Sequence, residues 1–531
     1  MIKNKKILLL CKETFSYPMY FLGKKLEKNN NDVHYFFVNS SDVIQKSNFN
    51  KYTFFYFKER IKKENLHEVK DLYLEIFKNK KGLKIDHKRL KEIEKKYTFF
   101  GALNKQILSS QSTSGYYHDR YYYPASTYEE NVNWLILNYN KAESVLDLIQ
   151  PDYIFDLDTA EIQRTIINEI AHSKEIKYVT IEFGRYKNFI VPTFNLGLQL
   201  DQYFVNTHKN NKENSRLSKF VEDVKNYRNQ DSLTTDVYKI LFKNSFKFSF
   251  MEMSEYILRK TYRSIISVIN YIQRKQNHVK FNSSLYTNSF KKIWWHYLYA
   301  IKKFYLLSKY NKYFSSPENE KYVYLPLHVI PESSTSVKAP MYLNEINIIE
   351  AVSKSVPIDW KLYIKEHPAM IGQRKLKFYK KISKLQNVKL VKINFYEDSK
   401  SWIEKSSAVV TITGSSAFEA TMLNKPAFVF GNVCFNVLEN IKVIKNLEEL
   451  ETSLKLVDTG NWLKDNTIDC AAYLKTLDDK GVDLNLNYLI ELSSKKIHSV
   501  PLKKQEEEDF DVLLNCLMNF FEKAVNICKD K

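Results

Sequence analysis

The sequence of 531 residues is 44% hydrophobic and 15% aromatic, which is too apolar for a disordered protein. Its 81 Lys and Arg outnumber its 61 Asp and Glu, and the resulting formal charge of +20 favours polyanionic partners. Five dispersed cysteines without a C-x-x-C pair argue against a zinc ribbon or disulfide framework and indicate a reducing compartment. No window approaches about 18 consecutive apolar residues. We therefore expect a cytoplasmic protein, either free or peripheral at the inner face of the cytoplasmic membrane.

Short apolar runs alternate with amphipathic stretches over the first 200 residues. KKILLL, DVHYFFV, DYIFDLD and IKYVTIEFG are predicted strands, and the stretches between them are predicted helices. Strands and helices that alternate at this spacing predict a parallel sheet. We assign residues 1–200 to a first Rossmann-like domain.

Residues 201–316 change to a helical pattern that is basic and rich in aromatic residues. From residue 239 to residue 313 the sequence has 15 Lys and Arg, but only Glu252 and Glu255 as acidic residues. Interleaved Phe, Tyr and Trp make this composition typical of an amphipathic surface on anionic lipid. Two alternatives remain open. The helices could pack on the core through their aromatic residues, or the segment could bind nucleic acid, for which no recognised motif is present.

The strand and helix alternation resumes at residue 317. Five predicted strands, KYVYLPL, WKLYIKE, NVKLVKI, AVVTITG and KPAFVFG, are separated by four predicted helices. This pattern predicts a second Rossmann-like domain over residues 317–500, followed by a C-terminal helix in residues 501–531. The predicted fold class is therefore α/β with two such domains facing a cleft, a helical basic insertion and a C-terminal helix.

Polar residues follow the predicted strands of the second domain, where ligands bind in sheets of this kind. His328 follows the first strand, and Lys365, His367 and Pro368 lie at the end of the second. The Gly414–Ser416 turn opens a helix whose free N–H groups can bind phosphate without a glycine-rich loop. An alternative is that Ser416 and Glu419 form a capping box at this helix.

Carboxylates at strand ends of the first domain are candidates for acid–base work. Glu182 and Arg185 lie in IEFGR at the end of the strand IKYVTIEF, and Asp156 and Asp158 lie in DYIFDLDT. Asp158 also fits a helix N-cap together with Glu161. The Asp-Leu-Asp sequence is similar to a metal-binding DxD, but without further ligands we assign no metal.

The motifs LPLHVIPESST, YIKEHP and VTITGSSAFEA fall in this order at successive predicted strand ends. Together they resemble the bacterial capsule and surface-polysaccharide glycosyltransferases of the GT-B fold, which include the retaining β-Kdo transferases. The resemblance extends over about residues 322–432, and over the first 200 residues it is one of architecture. It implies that the acceptor binds on the side of the first domain and the nucleotide sugar on the second.

The His-Pro and Ser-Ser elements also resemble those of bacterial GT-B sialyltransferases, which hold the phosphate and ribose of a CMP-sugar. This resemblance implies that His367 and the two serines bind the donor phosphate, with Glu419 near the ribose. The resemblance to the β-Kdo transferases implies a nucleophile role for Glu332, although this sequence offers Glu there rather than Asp. The expected donor-binding residues are His328, Lys365, His367, Pro368, Thr413, Gly414, Ser415, Ser416 and Glu419. The expected catalytic residues are Glu332, Glu182 and Asp158, with Arg185 on the acceptor or phosphate side.

We therefore predict a glycosyltransferase that needs neither cofactor nor metal. It would transfer a sugar from a nucleotide donor, with CMP-Kdo or another CMP-nonulosonate favoured, to a glycan or lipid-linked acceptor of a growing capsule, lipopolysaccharide or other surface glycan. The enzyme alternatives are a CDP-polyol phosphotransferase of teichoic-acid type, a UDP- or GDP-sugar glycosyltransferase, and a UDP-sugar 2-epimerase, whose glycine-rich phosphate loop is missing. The non-enzyme alternative is a basic membrane-associated binding protein. We expect no nucleic-acid partner.

Overall fold

The computed structural model contains two α/β units, each built around its own sheet. It describes residues 1–38, 57–69, 84–98, 102–109, 127–159, 162–214, 216–233, 248–274, 281–282, 285–286, 289–330, 332–396, 398–462 and 465–529. The strands are β1 (Lys6–Cys11), β2 (Asp32–Phe37), β3 (Leu66–Glu68), β4 (Tyr153–Phe155), β5 (Lys177–Phe183), β6 (Phe189–Thr193), β7 (Phe281–Asn282), β8 (Leu285–Tyr286), β9 (Tyr322–Pro326), β10 (Lys361–Lys365), β11 (Val388–Leu390), β12 (Ala408–Thr411), β13 (Ala427–Val429), β14 (Ile441–Val443) and β15 (Val482–Asp483).

The helices cover both sheets and join the two units. They are α1 (Ser16–Glu27), α2 (His87–Tyr97), α3 (Leu103–Ser109), α4 (Tyr128–Ile149), α5 (Ile162–Ser173), α6 (Gln202–Asn214), α7 (Ser218–Asn229), α8 (Phe250–Arg274), α9 (Ser289–Ser308), α10 (Tyr310–Tyr313), α11 (Ser333–Lys338), α12 (Glu345–Ser355), α13 (Leu376–Ile382), α14 (Ser399–Glu404), α15 (Ser416–Met422), α16 (Glu449–Asp458), α17 (Thr467–Lys480), α18 (Leu486–Ile497) and α19 (Lys504–Lys529). None of these described helices combines the length and apolar character needed to cross a membrane.

The first sheet has the strand order β15-β6-β5-β4-β1-β2-β3. Strands β1 to β5 are parallel, and β6 and β15 add an antiparallel edge. Residues Ile7 to Leu10 of β1 are fully buried, because helices pack on both faces of the sheet. Helix α4 begins with a capping box, in which Thr127 and Glu130 satisfy each other's backbone N–H groups.

The second sheet is parallel throughout and has the strand order β11-β10-β9-β12-β13-β14. The chain starts in the centre at β9, builds outward through β10 and β11, and then returns to add β12 beside β9. The order therefore reverses between β9 and β12, and ligands of such sheets bind outside the carboxyl ends of the strands at this reversal. The predicted fold class of two Rossmann-like α/β units is confirmed.

The domain boundaries in the structure differ from those we predicted. Val482 pairs with Ile190 of β6, so the chain returns to the first sheet well before residue 500. Helix α19 packs there as well, with Phe521 stacked on Phe155 at a centroid distance of 4.3 Å. The physical reason is the apolar stripe of α19, which completes the cover of one face of the first sheet.

Residues 201–316 do not form a single segment in the structure. Helices α6 and α7 pack against α17, and Arg228 donates to the Asn466 side chain at 2.8 Å. Helices α8 and α9 instead form an antiparallel hairpin, with Phe250 beside Phe304 and Tyr256 beside His296. Of the basic stretch that we predicted over residues 239–313, residues 239–247 and most of the chain between α8 and α9 lie outside the described part.

Candidate functional site

His328 joins the loops that follow β9 and β12, at the reversal of the strand order. Its Nε2 lies 3.2 Å from Thr411 Oγ1 and 3.4 Å from the backbone N of Thr413. Its backbone N donates to Glu345 Oε1 at 2.8 Å. A buried imidazole therefore fixes the crevice where the sheet topology places a ligand.

A buried arginine ties three loops of this site together. Arg374 forms ion pairs with Glu366 Oε2 at 2.8 Å and with Glu345 Oε2 at 2.5 Å, and it donates to the carbonyl oxygen of His328 at 2.6 Å. Burial raises the pKa of Glu345, but Arg374 and His328 outweigh it and hold that pKa below its usual value. For Glu366 burial dominates, and its pKa lies above the usual value.

Sequence reasoning missed Arg374 and Glu345. Neither residue lies in a motif, and nothing in a single sequence marks an arginine as buried. The distance of 46 positions from Arg374 to His328 is closed only by the packing of the loops.

The His-Pro element forms a short turn after β10. The Nδ1 atom of His367 accepts a hydrogen bond from the backbone N of Ala369 at 3.1 Å, which leaves Nε2 as the protonated nitrogen. Burial, together with His328, Arg374 and Lys365, lowers the pKa of His367 to about 4. His367 is therefore a neutral hydrogen-bond donor at pH 7, not a cation that pairs with phosphate.

The Gly414–Ser416 turn connects β12 to α15. The alternative of a capping box between Ser416 and Glu419 is wrong, because no side chain caps α15 and Ser415 Oγ donates to Glu419 Oε1 at 3.1 Å instead. The hydroxyls of Thr413 and Ser416 are buried and lack a hydrogen-bond partner within the described structure. A buried hydroxyl without a partner is costly, so these two groups are candidates for hydrogen bonds to a bound ligand or water.

Gly414 allows the close approach of the turn to Thr411. A Cβ atom at this position would lie 2.5 Å from Thr411 Oγ1, which is closer than real contacts allow. The glycine is therefore required by packing at the turn.

Lys365 and Glu419 place opposite charges in the interior of the site. Burial lowers the pKa of Lys365 to about 8, although Glu419 and Asp398 oppose that shift. Burial raises the pKa of Glu419, although Ser399 and Ser415 oppose it. A buried cation at this position suits a ligand that brings its own negative charge.

Glu332 differs from the other donor-side residues because it is exposed. It is the N-cap residue of α11, where its backbone oxygen accepts from Ser336 N at 2.9 Å while its side chain caps nothing. The structure places it in the loop after β9, as the sequence predicts, and its nucleophile role remains a prediction.

Glu182 lies at the junction of the two units. Its carboxylate pairs with Lys338 at the end of α11, and both side chains are buried. Asn432 donates to the Leu198 oxygen at 2.6 Å nearby, and Cys434 Sγ lies 3.4 Å from the Phe183 oxygen. The cavity beside Glu182 has a volume of only about 20 Å³, room for about one water molecule. A sugar acceptor at Glu182 would therefore require this junction to open.

Asp156 and Asp158 are held by the buried Arg164. Two nitrogens of Arg164 donate to Asp156 at 2.6 and 3.1 Å, and a third lies 3.4 Å from Asp158. These contacts account for the Asp-Leu-Asp sequence as an ion-pair cluster. Glu161, the partner in the N-cap alternative, lies outside the described residues. Among the residues that are described, no group of three or more His, Cys, Asp or Glu is arranged to hold a metal.

Arg185 lies on the exposed turn between β5 and β6. Its guanidinium carbon is 5.7 Å from the centre of the Phe183 ring. It adopts a left-handed backbone conformation with φ of 62°. The structure therefore does not bring it into the buried cluster around His328.

The family of capsule polysaccharide biosynthesis proteins matches residues 160–439, which is more than half of the chain. The chain belongs to this family. The match spans the end of the first unit and the strand-end loops that carry His328, His367 and Ser416. It confirms the family resemblance that the three motifs predicted. No curated protein sequence matches the chain.

Several solved structures are similar to the chain at low identity. The β-Kdo 2,7 transferase KpsC of Thermosulfurimonas dismutans is 11% identical, with 63% of this chain and 79% of that chain covered and a TM-score of 0.28. The UDP-GlcNAc 2-epimerase of Methanocaldococcus jannaschii is 12% identical, with 89% and 99% covered and a TM-score of 0.23. The wall teichoic acid polymerase TagF is 17% identical, with 36% and 47% covered and a TM-score of 0.22. These scores do not relate individual residues of the chains.

Proposed function

We propose that this capsule biosynthesis protein is a glycosyltransferase that takes its sugar from a CMP-activated donor, CMP-Kdo or another CMP-nonulosonate. The observation that carries the proposal is the strand-end cluster of the second sheet. This cluster contains two buried hydroxyls without partners, on Thr413 and Ser416. It also contains His367, which can donate a hydrogen bond from Nε2, and the buried Lys365. Hydroxyls, an N–H group and a cation together suit a nucleotide phosphate.

The transfer breaks the bond between the anomeric carbon of the sugar and the phosphate oxygen, and the nucleotide leaves with the bonding electron pair. Donors aimed at the phosphate stabilise its developing charge, and a carboxylate accepts the proton of the attacking acceptor hydroxyl. His367, Ser415, Ser416 and Lys365 would serve the phosphate. Glu182 would serve the acceptor, and Glu332 would be the nucleophile if configuration is retained. Asp158 is the weakest of the three catalytic candidates because Arg164 already engages it.

The acceptor is a growing capsule chain or a related surface glycan, free or linked to lipid. We place the reaction in the cytoplasm, because the five dispersed cysteines of the sequence, with no C-x-x-C pair, are typical of a reducing compartment. That the reaction needs neither metal nor cofactor stays a prediction.

The purified protein is expected to bind CMP more tightly than CDP, UDP or GDP in calorimetric titrations. His367→Ala and Ser416→Ala should each weaken CMP binding by about 10-fold or more, because each removes a hydrogen bond to a charged phosphate. His87→Ala and Thr452→Ala remove the same groups from exposed helix positions and should bind CMP as the parent does.

Each other outcome of this titration selects a different enzyme. Preference for UDP or GDP would keep the glycosyltransferase and discard the CMP donor. Preference for CDP would favour a polyol phosphotransferase. Absence of nucleotide binding would contradict the proposed function and favour a binding protein.

The affinity for CMP is expected to fall as the pH rises through about 8. Lys365 is charged below its pKa of about 8 and neutral above it, so its attraction for phosphate is lost on the alkaline side. The CMP phosphate, with a second pKa of about 6, is fully charged over that range. His367 has a pKa of about 4 and stays neutral throughout. Titrations between pH 7 and pH 9 measure the effect, and Lys365→Met should bind more weakly and lose the dependence. An equal fall in CMP affinity with pH in Lys365→Met would assign the pH dependence to another group.

A further inference from the structure

The α8–α9 hairpin carries an apolar stripe on each helix that the fold leaves exposed. On α8 the exposed positions recur at helical spacing, and on α9 they do the same. The stripe residues are Met251, Leu258, Tyr262 and Ile265 on α8 and Trp294, Leu298, Ile301 and Tyr305 on α9, which are between 39% and 80% exposed. Such a concentration of exposed large apolar side chains marks an interaction surface.

The stripes are not needed to hold the hairpin together. The two helices pack through other positions, where Tyr256 OH lies 2.9 Å from His296 Nδ1 and Thr261 Oγ1 lies 2.5 Å from Tyr297 OH. Phe250 also packs on Phe304. These contacts join the two helices to each other, and none of them involves a residue of the stripes.

Cations border the stripes. Arg259 and Arg263 directly follow Leu258 and Tyr262 and are exposed. Lys309 and Lys312, at the end of α9 and in α10, are exposed too. The surrounding sequence from residue 239 to residue 313 has 15 basic and two acidic residues. An apolar stripe with flanking cations is the pattern of a helix that lies in the interface of an anionic membrane.

We propose that the α8–α9 hairpin docks on the surface of a bilayer that contains anionic lipids. The stripes enter the boundary between headgroups and acyl chains, and Arg259 and Arg263 contact lipid phosphates. A second copy of the chain does not fit this surface, because its cations would face each other. A nucleic acid would leave the apolar side chains in water.

Helix α9 of the hairpin contacts the loop between His367 and Arg374, which belongs to the candidate donor site. Lys302 Nζ donates to the Gln373 oxygen at 3.0 Å, and Lys303 packs so closely on Gly372 that a Cβ there would lie 2.3 Å away. Both contacts fall in the segment between His367 and Arg374. Docking would therefore hold the donor site of the proposed transferase next to the membrane, where lipid-linked acceptors reside.

Flotation of the full chain with vesicles tests the proposal. The protein should float with vesicles of phosphatidylcholine mixed with phosphatidylglycerol, and much less with phosphatidylcholine alone. Two double variants should each bind vesicles at least about 10-fold more weakly than the parent. One combines Leu258→Ser with Trp294→Ser, and the other combines Arg259→Glu with Arg263→Glu.

Matched controls replace the same residue types elsewhere. Leu148→Ser with Ile358→Ser removes two exposed apolar side chains, and Lys91→Glu with Lys95→Glu reverses two exposed cations on α2. Both should bind vesicles as the parent does, and all variants should keep the parent's circular dichroism and melting temperature, since every changed position is exposed. Equal loss in the controls, or equal binding to neutral vesicles, would overturn the proposal.

Two further measurements separate other occupants and other failures. In sedimentation without lipid, the protein should remain in the same oligomeric state as its concentration rises. Association that grows with concentration and is lost in the stripe variants would instead assign the stripes to contact with a second copy. CMP titration of the same preparations should be unchanged in the hairpin variants. If vesicle binding fails while CMP binds, only the docking proposal fails. If CMP does not bind while the protein binds vesicles, only the proposed function fails.

Discussion

Arg374→Met is expected to destabilise the second unit by about 3–5 kcal/mol, the cost of removing one partner from a buried ion pair. Arg374 is almost fully buried and is the counter-charge of both Glu345 and Glu366. Methionine fills a similar volume, but it leaves the two carboxylates without a counter-charge. It also removes the hydrogen bond to the carbonyl oxygen of His328. Urea unfolding followed by tryptophan fluorescence measures the change, because Trp360 and Trp402 are buried in this unit.

The pH dependence of that loss distinguishes unpaired charge from lost packing. Deleting the guanidinium raises the pKa of both carboxyl groups in the folded state. As the pH falls through these raised values, the folded protein takes up protons and the deficit of Arg374→Met should shrink. A deficit that is constant between pH 7 and pH 5 would assign the effect to packing. Arg216→Met, at an exposed position, should change the free energy of unfolding by no more than about 0.5 kcal/mol.

Glu182→Gln is expected to lower kcat by about 10²–10⁴-fold, the usual contribution of a general acid or base. Glutamine keeps the shape of the side chain and a hydrogen-bond acceptor for Lys338, but it cannot take a proton. Release of nucleotide from the nucleotide sugar that the titration selects, with membranes as the source of acceptor, measures the rate. Binding of the nucleotide alone should stay within about twofold of the parent, because the donor cluster lies on the other unit.

Lys338→Met decides whether Glu182 acts on substrate or only ties the two units together. If the ion pair only joins the two units, Glu182→Gln and Lys338→Met should lower activity to the same extent. If Glu182 takes the proton, Lys338→Met should retain much more activity than Glu182→Gln, because the carboxylate is still present. Equal losses in the two variants would remove Glu182 from the catalytic residues.

The sequence alone determined the two sheets and the loops that carry the site. Parallel strands buried on both faces read as continuous apolar runs, so KKILLL and AVVTITG could be recognised without tertiary information. His328, His367 and Ser416 follow such runs directly. They are therefore expected to lie near one another at the carboxyl ends of parallel strands, where ligands bind. The basic and aromatic character of the segment that contains the hairpin was visible too, because the excess of cations is a property of composition.

What the tertiary structure decided was each contact between residues distant in sequence. Arg374 cannot be distinguished from a surface arginine until the loops meet, since its burial depends on Glu345, Glu366 and His328 being in place. Asp156 and Asp158 have the sequence of catalytic candidates, and only the fold brings Arg164 beside them. The return of β15 and α19 to the first sheet was equally hidden, because an apolar stripe shows that a helix is covered but not by what. Local periodicity reflects the backbone, whereas ion pairs and domain contacts depend on side chains that only the complete fold brings within reach.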